Sequence, residues 1–276
     1  MSAFKPRLKV LYLGTLPPHQ GGSAFSNAQI LFGLAARGHR IQAIAPMAAD
    51  VSNDYDAFAD SHPEIDVTRF MMPHFETDPF NPASSDYRVR QTTQSLHLLG
   101  EMLTAEPRDV VFVGRESFIW GVPDLARQHR VPCVINLRGV INAIATGTYP
   151  HELGQALLAE LRRTDCATVP ARHMLEKLRS LGIAHGKLIL NAVDATAFSC
   201  GAKAPGLMQK HGLSADETIV LHVSNLKSVK RVHDLIEFTH RALQENDRLV
   251  YVIVGDGPLR ASLESACASQ GLRDRV

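Results

Sequence analysis

The 276-residue sequence has no apolar run approaching the ~20 residues that a bilayer-spanning helix needs, and its opening residues are charged. Neither a membrane span nor a signal peptide is therefore expected. The four cysteines, Cys133, Cys166, Cys200 and Cys267, stand far apart with no C-x-x-C pair. That spacing argues against a disulfide framework and points to a reduced, cytoplasmic chain. Cys133 and Cys166 lie in apolar runs and read as small core residues. The net charge is only +1, so no global field draws the chain to nucleic acid or anionic membrane, and any cationic role must be local. Thirteen histidines are present, yet none falls in H-x-x-x-H or H-E-x-x-H spacing, and no metal site is expected. G-x-x-x-x-G-K-[ST] and G-x-S-x-G are both missing. Gly255-Asp-Gly257 stops short of G-x-G-x-x-G because Arg260 stands where the third glycine belongs, which weakens a dinucleotide-binding reading.

What is present describes a globular protein of two domains, with 45% apolar and 21% charged residues. Leu8–Leu13 reads as a strand, a glycine loop follows, and Ala28, Leu31, Leu34 and Ala35 set out a helix that Gly38 ends. A second strand at Ile41–Ala45 completes a βαβ unit, so an α/β fold of Rossmann-like, doubly wound lobes leads. Residues 46–64 read as an exposed loop. Strands are expected at Ile65–Met71, Val110–Val113, Cys133–Leu137, Ala167–Val169 and Leu188–Leu190. Helices are expected at about Tyr87–Leu103, Trp120–His129, Glu152–Arg163 and Ala171–Leu181. Asn191–Gly206 breaks the pattern and reads as the interdomain connection, giving domains of 1–198 and 199–276. The second half restarts as strand 219–223, helix 232–244, strand 249–254 and helix 259–270. Two strands and two helices make a small core, so the second lobe reads as incomplete and the chain as a truncated product.

Several places carry chemistry. The run Ile219–Val223 ends in Ser224 and Asn225, then Lys227, Lys230 and Arg231 precede a helix. Strand, cationic loop and helix N-terminus together make an anion site. Tyr251–Pro258 repeats the strand-to-helix design with Gly255, Asp256 and Gly257, on the edge where parallel sheets bind ligands. In the first lobe, Gly21, Gly22 and Ser23 sit between strand and helix, where the missing Cβ lets a ligand approach the backbone. Arg115-Glu116 and Arg138 follow later strands, and an arginine there can fork onto phosphate or carboxylate. His19 lies in the glycine loop, where a solvated side chain and a ligand contact both remain open; His39 reads as structural.

In this order the segments resemble family-4 retaining glycosyltransferases of the GT-B fold. The matching stretches are Pro17-Pro-His-Gln-Gly-Gly22 with Leu34–His39, Leu188-Ile-Leu-Asn-Ala-Val-Asp194, Ser224-Asn-Leu-Lys-Ser-Val-Lys-Arg231 and Val252–Pro258. The third resembles the branch of the family that glycosylates malate, although Arg138 stands where the family commonly has a histidine. The resemblance implies a hexosyltransferase (class EC 2.4) with a nucleotide sugar, UDP- or GDP-linked, as substrate and no cofactor. The first domain would hold mainly the acceptor, with Gly21 and Gly22 near the donor phosphates. The second would bind the donor through Asn225, Lys227, Lys230 and Arg231 and the Gly255–Gly257 turn. Lys230 falls on the family's diphosphate lysine, and Lys230 and Arg138 are the expected catalytic residues. The acceptor would be a glycan, a lipid-linked sugar or a small molecule, with peripheral membrane contact in the lipid case and no nucleic-acid partner. The family's glutamate-rich motif would lie beyond Val276, so low activity is expected. A nucleotide-sugar epimerase of the same fold and a non-catalytic remnant are the alternatives.

Overall fold

A computed structural model of the chain describes residues 7–19, 22–48, 54–74, 85–202, 205–273 and 275–276. It divides into two compact units, Met1–Ala192 and Val193–Val276.

The first unit is a seven-stranded sheet, with β1 (Lys9–Leu13), β2 (Arg40–Ala48), β3 (Ile65–Met72), β4 (Val110–Val113), β5 (Cys133–Asn136), β6 (Cys166–Val169) and β7 (Gly186–Leu188). Every pairing is parallel and the order is β3-β2-β1-β4-β5-β6-β7, so the winding reverses between β1 and β4. Alternation along β1 shows why both faces are covered. Leu11 and Leu13 join one buried cluster with Leu99, Val111, Ile135 and Leu161; Val10 and Tyr12 join another with Ala28, Leu31, Ile41 and Ala43. Each fully buried leucine contributes about 2 kcal/mol.

The helices supply matching stripes. Helix α1 (Gly22–Ala35) buries Ala24, Asn27, Ala28 and Leu31. Four of its inward positions follow helical spacing, and one of them is polar. Helix α3 (Ser85–Ala105) buries Gln91, Ser95, Leu99 and Leu103, a strict i, i+4 series. Helices α4 (Val122–Gln128), α6 (His151–Arg162) and α7 (Arg172–Ser180) complete the expected set.

Several expectations need correction. The 46–64 stretch is no plain loop, because β2 runs on to Ala48 and helix α2 occupies Asp54–Ser61. Its Phe58 ring stacks on Phe32 of α1 at 6.3 Å, an anchor hidden in a polar stretch. The piece between β5 and α6 contains helix α5 (Val140–Ala145), with Ile141 buried. Strand β7 comes two residues early, where a Cβ on Gly186 would meet Leu178 at 2.7 Å and Leu175 at 2.9 Å. Cys133 is buried, but Cys166 is only half-buried.

The second unit pairs β8 (Thr218–Val223) with β9 (Leu249–Val254) in parallel and adds helices α8 (Pro205–Lys210), α9 (Val232–Glu245) and α10 (Arg260–Ser269). Its core is Leu226, Val232, Ile236, Leu263, Cys267 and Leu272, with Ile253 packed against it. Leu221 and Val223 of β8 are exposed. Among the described residues, no helix is long and apolar enough to cross a membrane.

Candidate functional site

The sheet of the first unit reverses direction where β1 and β4 leave it side by side, the place where open α/β sheets bind ligands. Gly14 and Gly114 stand there back to back. A Cβ on Gly14 would lie 3.3 Å from the Gly114 Cα, and a Cβ on either would collide with the Tyr12 ring. These glycines exist so that Tyr12, which is fully buried, can lie across the strand ends. Its hydroxyl donates to the Thr15 carbonyl at 3.1 Å, to which Asn27 Nδ2 also donates at 3.3 Å. Burial pushes the Tyr12 phenol far above its usual range, so it stays protonated.

On this floor stand charged groups from three elements. Glu116 follows β4 in a short 3-10 turn, Glu116–Phe118, and is almost wholly buried. Buried Gln91 of α3 braces that turn by donating to the Ser117 carbonyl at 2.8 Å. Oxygen Oε1 of Glu116 accepts the backbone N–H groups of Arg138 at 2.5 Å and Gly139 at 3.0 Å. The carboxylate thus ties the end of β4 to the end of β5. The Arg138 side chain reaches α1, donating to Ser26 Oγ at 3.0 Å and to Asn27 Oδ1. Burial lowers its pKa, while Tyr12 and Glu116 oppose that shift. Arg69 of β3 donates to the Pro17 carbonyl at 2.6 Å and the Pro46 carbonyl at 3.3 Å, with its guanidinium over the Tyr55 ring at 5.0 Å. Burial lowers its pKa to about 10. His19 is held down to about 4, first by burial and then by the charges of Arg115 and Arg69, so its ring is neutral at pH 7. Arg115 is half-buried; its carbonyl accepts the Phe118 N–H at 3.1 Å, and its side chain makes no hydrogen bond or ion pair among the described residues.

The expected ligand residues of the first unit fare unequally. Gly21 lies outside the described residues. Gly22 opens α1, exposed, with nothing within 4 Å of where a Cβ would stand, and Ser23 is half-buried beside it. No packing requirement explains Gly22. Arg138 is at the strand end as expected, engaged with α1. Reading the sequence missed Asn27, Arg69, Gln91 and the bracing role of Glu116. The available signals were a polar residue on the buried stripe of α1 and an arginine inside the apolar run of β3.

In the second unit the turns after β8 and β9 are knitted together. Ser224 N–H donates to the Val254 carbonyl at 3.1 Å, Leu226 N–H to the Asp256 carbonyl at 2.9 Å, and Leu259 N–H to the Leu226 carbonyl at 3.1 Å. Gly255 and Gly257, at φ of +148° and +155°, pack against the backbone of Ser224 and Leu226. Both glycines therefore have a packing reason. The Asp256 carboxylate accepts the Gly257 N–H at 2.8 Å and lies 3.9 Å from Arg260. Arg231 caps α9 from the left-handed region, φ +52°, and pairs with Asp234. That pairing offsets its charge, so Lys227 and Lys230, with no ion pair among the described residues, carry the open positive charge of this loop. Lys230 and Asn225 are exposed, and Lys227 is half-buried. The first N–H groups of α9 lack intrahelical partners, as at any helix start. No group of three or more His, Cys, Asp or Glu that could hold a metal occurs among the described residues.

Comparison with known proteins follows this division. The family described as "Glycosyltransferase Family 4" matches residues 20–197, more than half of the chain, and "Glycosyl transferases group 1" matches 205–276. Among curated relatives, N-acetyl-alpha-D-glucosaminyl L-malate synthase of Bacillus anthracis is 23% identical over 272 residues, which are 95% of this chain and 65% of the relative. The chain thus spans just under two thirds of that protein's length. Alpha-D-kanosaminyltransferase of Streptomyces kanamyceticus is 37% identical over 75 residues, 27% of this chain and 19% of that one. Among solved structures, Anabaena HepE in complex with UDP-glucose matches at a TM-score of 0.69 and 16% identity, covering 98% of this chain and 68% of that one. Sucrose-phosphate synthase of Thermosynechococcus elongatus matches at 0.72 and 15% identity, covering 97% and 69%. At such identities these structures establish the fold, which is of GT-B type.

Proposed function

The chain belongs to glycosyltransferase family 4, and from that membership we propose that it moves a sugar from a nucleotide-sugar donor to an acceptor hydroxyl. The observation that carries this reading is the paired turn of the second unit, with two lysines that have no ion pair among the described residues beside the start of α9. Lys230 and Lys227 meet the donor diphosphate, while Asn225, Arg231 and the backbone of Gly255, Asp256 and Gly257 shape the loop that presents them. Negative charge grows on the leaving diphosphate as the glycosidic bond breaks. Fixed cations and N–H dipoles there stabilise the transition state more than the ground state. The donor is a substrate and no cofactor takes part. UDP is the favoured nucleotide because HepE, a structural neighbour, is solved with UDP-glucose.

In the first unit, the strand-end group of Arg138, Arg115, Arg69 and His19 receives the acceptor, and Gly22 and Ser23 lie at its α1 side. Retention of anomeric configuration is part of the proposal, carried from the family. Peripheral membrane contact belongs to it only if the acceptor is lipid-linked. The test is release of UDP from UDP-glucose and UDP-N-acetylglucosamine by the purified chain, with and without a panel of acceptors, and anomeric analysis of the product by NMR. Acceptor-dependent release that Lys230→Ala lowers more than tenfold supports the reading. Absence of both UDP binding and release overturns it.

A further inference from the structure

We propose that the strand-end cluster of the first unit is an anion site, and that its acceptor is a small hydroxylated molecule bearing a carboxylate or phosphate group. The word acceptor rests on the function proposed above; the anion site does not. Three guanidinium groups from three elements converge on His19 and Asn27, and all three are half-buried. None forms an ion pair among the described residues. Removing cations from water without a counter-charge is costly, so a fold keeps such groups only where something compensates them.

For two of the three the compensation is internal. Arg69 is bound by carbonyls and rings, and Arg138 by Ser26 and Asn27. The one buried carboxylate at hand, Glu116, accepts two backbone N–H groups through Oε1 and forms no ion pair with any of the three. The Arg115 side chain has no such partner among the described residues, and its fork of donors stays open. A second unpartnered polar group, enclosed within the fold, lies in the same loop region as His19. The Thr15 hydroxyl is buried, with the residue 4% exposed, and no atom among the described residues pairs with it. A planar guanidinium backed by two further positive charges fits one compact oxyanion. The half-buried setting favours a small ligand over an extended polyanion, and the net charge of +1 shows that the positive field is local.

The full chain with labelled histidine ring carbons tests this by NMR, with the His19 signal assigned from the His19→Gln variant. Titrate L-malate as the carboxylate probe, glycerol 3-phosphate as the phosphate probe and glycerol as the neutral control. At least one anion is expected to move the His19 signal saturably at millimolar concentration and raise its titration midpoint, while glycerol does neither. The anion that binds tells carboxylate from phosphate. Arg115→Gln should weaken that binding at least tenfold, and Arg115→Lys should weaken it less. UDP binding, measured by calorimetry on the same samples, should be unchanged in Arg115→Gln. If neither anion binds, or Arg115→Gln binds as the natural chain does, the inference falls. It also falls if Arg115→Gln weakens only UDP. Loss of UDP binding in the natural chain, with anion binding intact, would instead overturn the transferase reading and leave this site standing.

Discussion

Gly255 lies so close to the Ser224 carbonyl oxygen that a Cβ on Gly255 would overlap it, and its φ is +148°. Gly22, by contrast, has nothing within 4 Å of that position. The two glycines should therefore respond oppositely to alanine. Gly255→Ala should destabilise the second unit by about 2 kcal/mol or more, through overlap and backbone strain together. Gly22→Ala should leave stability within about 0.5 kcal/mol of the natural chain, yet lower turnover if a ligand approaches the backbone there. Urea denaturation of both variants checks the first pair of outcomes, and the UDP-release assay checks the last.

The Lys230 side chain is exposed and makes no ion pair among the described residues, so the fold does not depend on that side chain. Lys230→Ala should keep the denaturation midpoint. If the lysine faces the leaving diphosphate, turnover should fall more than tenfold, since one such donor is worth ~3 kcal/mol. Arg231→Ala should matter less to turnover, because Asp234 already neutralises that charge. Equal turnover in Lys230→Ala and the natural chain would remove the assignment.

The parallel sheet was legible because strands covered on both faces read as apolar runs, and Leu8–Leu13, Val110–Val113 and Cys133–Leu137 all do. The turn after β8 was legible for a similar reason, an apolar run ending in lysines. Helix α2 was not, since its anchor is one ring, Phe58, stacked on a residue more than twenty positions away. Arg138 could be placed at a strand end from sequence, but not its grip on Asn27, which the fold brings from 111 residues earlier. The glycines of Gly255–Gly257 read as ligand-facing, and their close packing against Ser224 and Leu226 is a second reason for glycine there. That contact joins separate strands and leaves no mark on local spacing.

His19 should give stability a distinct acid limb. Its folded value, about 4, lies below its ordinary 6.5, first through burial and then through Arg115 and Arg69. Between those values the unfolded chain binds a proton that the folded chain refuses. Stability is thus fully present above about pH 6.5 and is lost as pH falls towards 4. His19→Gln removes this linkage, so the urea midpoint of the natural chain should fall relative to that of the variant as pH is lowered from 7 through that window. Profiles that stay parallel would show that the ring is not held neutral.

Glu116 separates hydrogen bonding from charge within the cluster. Its Oε1 accepts both Arg138 N–H and Gly139 N–H, and the residue is 1% exposed. Glu116→Ala leaves two half-buried donors without a partner, which costs about 2 kcal/mol and loosens the backbone that carries Arg138. Glu116→Gln keeps an acceptor oxygen in the same place while deleting the negative charge nearest the arginines. The glutamine variant should therefore fold nearly as well as the natural chain but bind the anionic probe several-fold more tightly, since the positive field of Arg115 and Arg138 is then less opposed. Anion binding weakened equally by both substitutions would mean that the carboxylate serves the ligand itself and not the frame around it. The comparison of denaturation midpoint with probe affinity across the two variants decides between these roles.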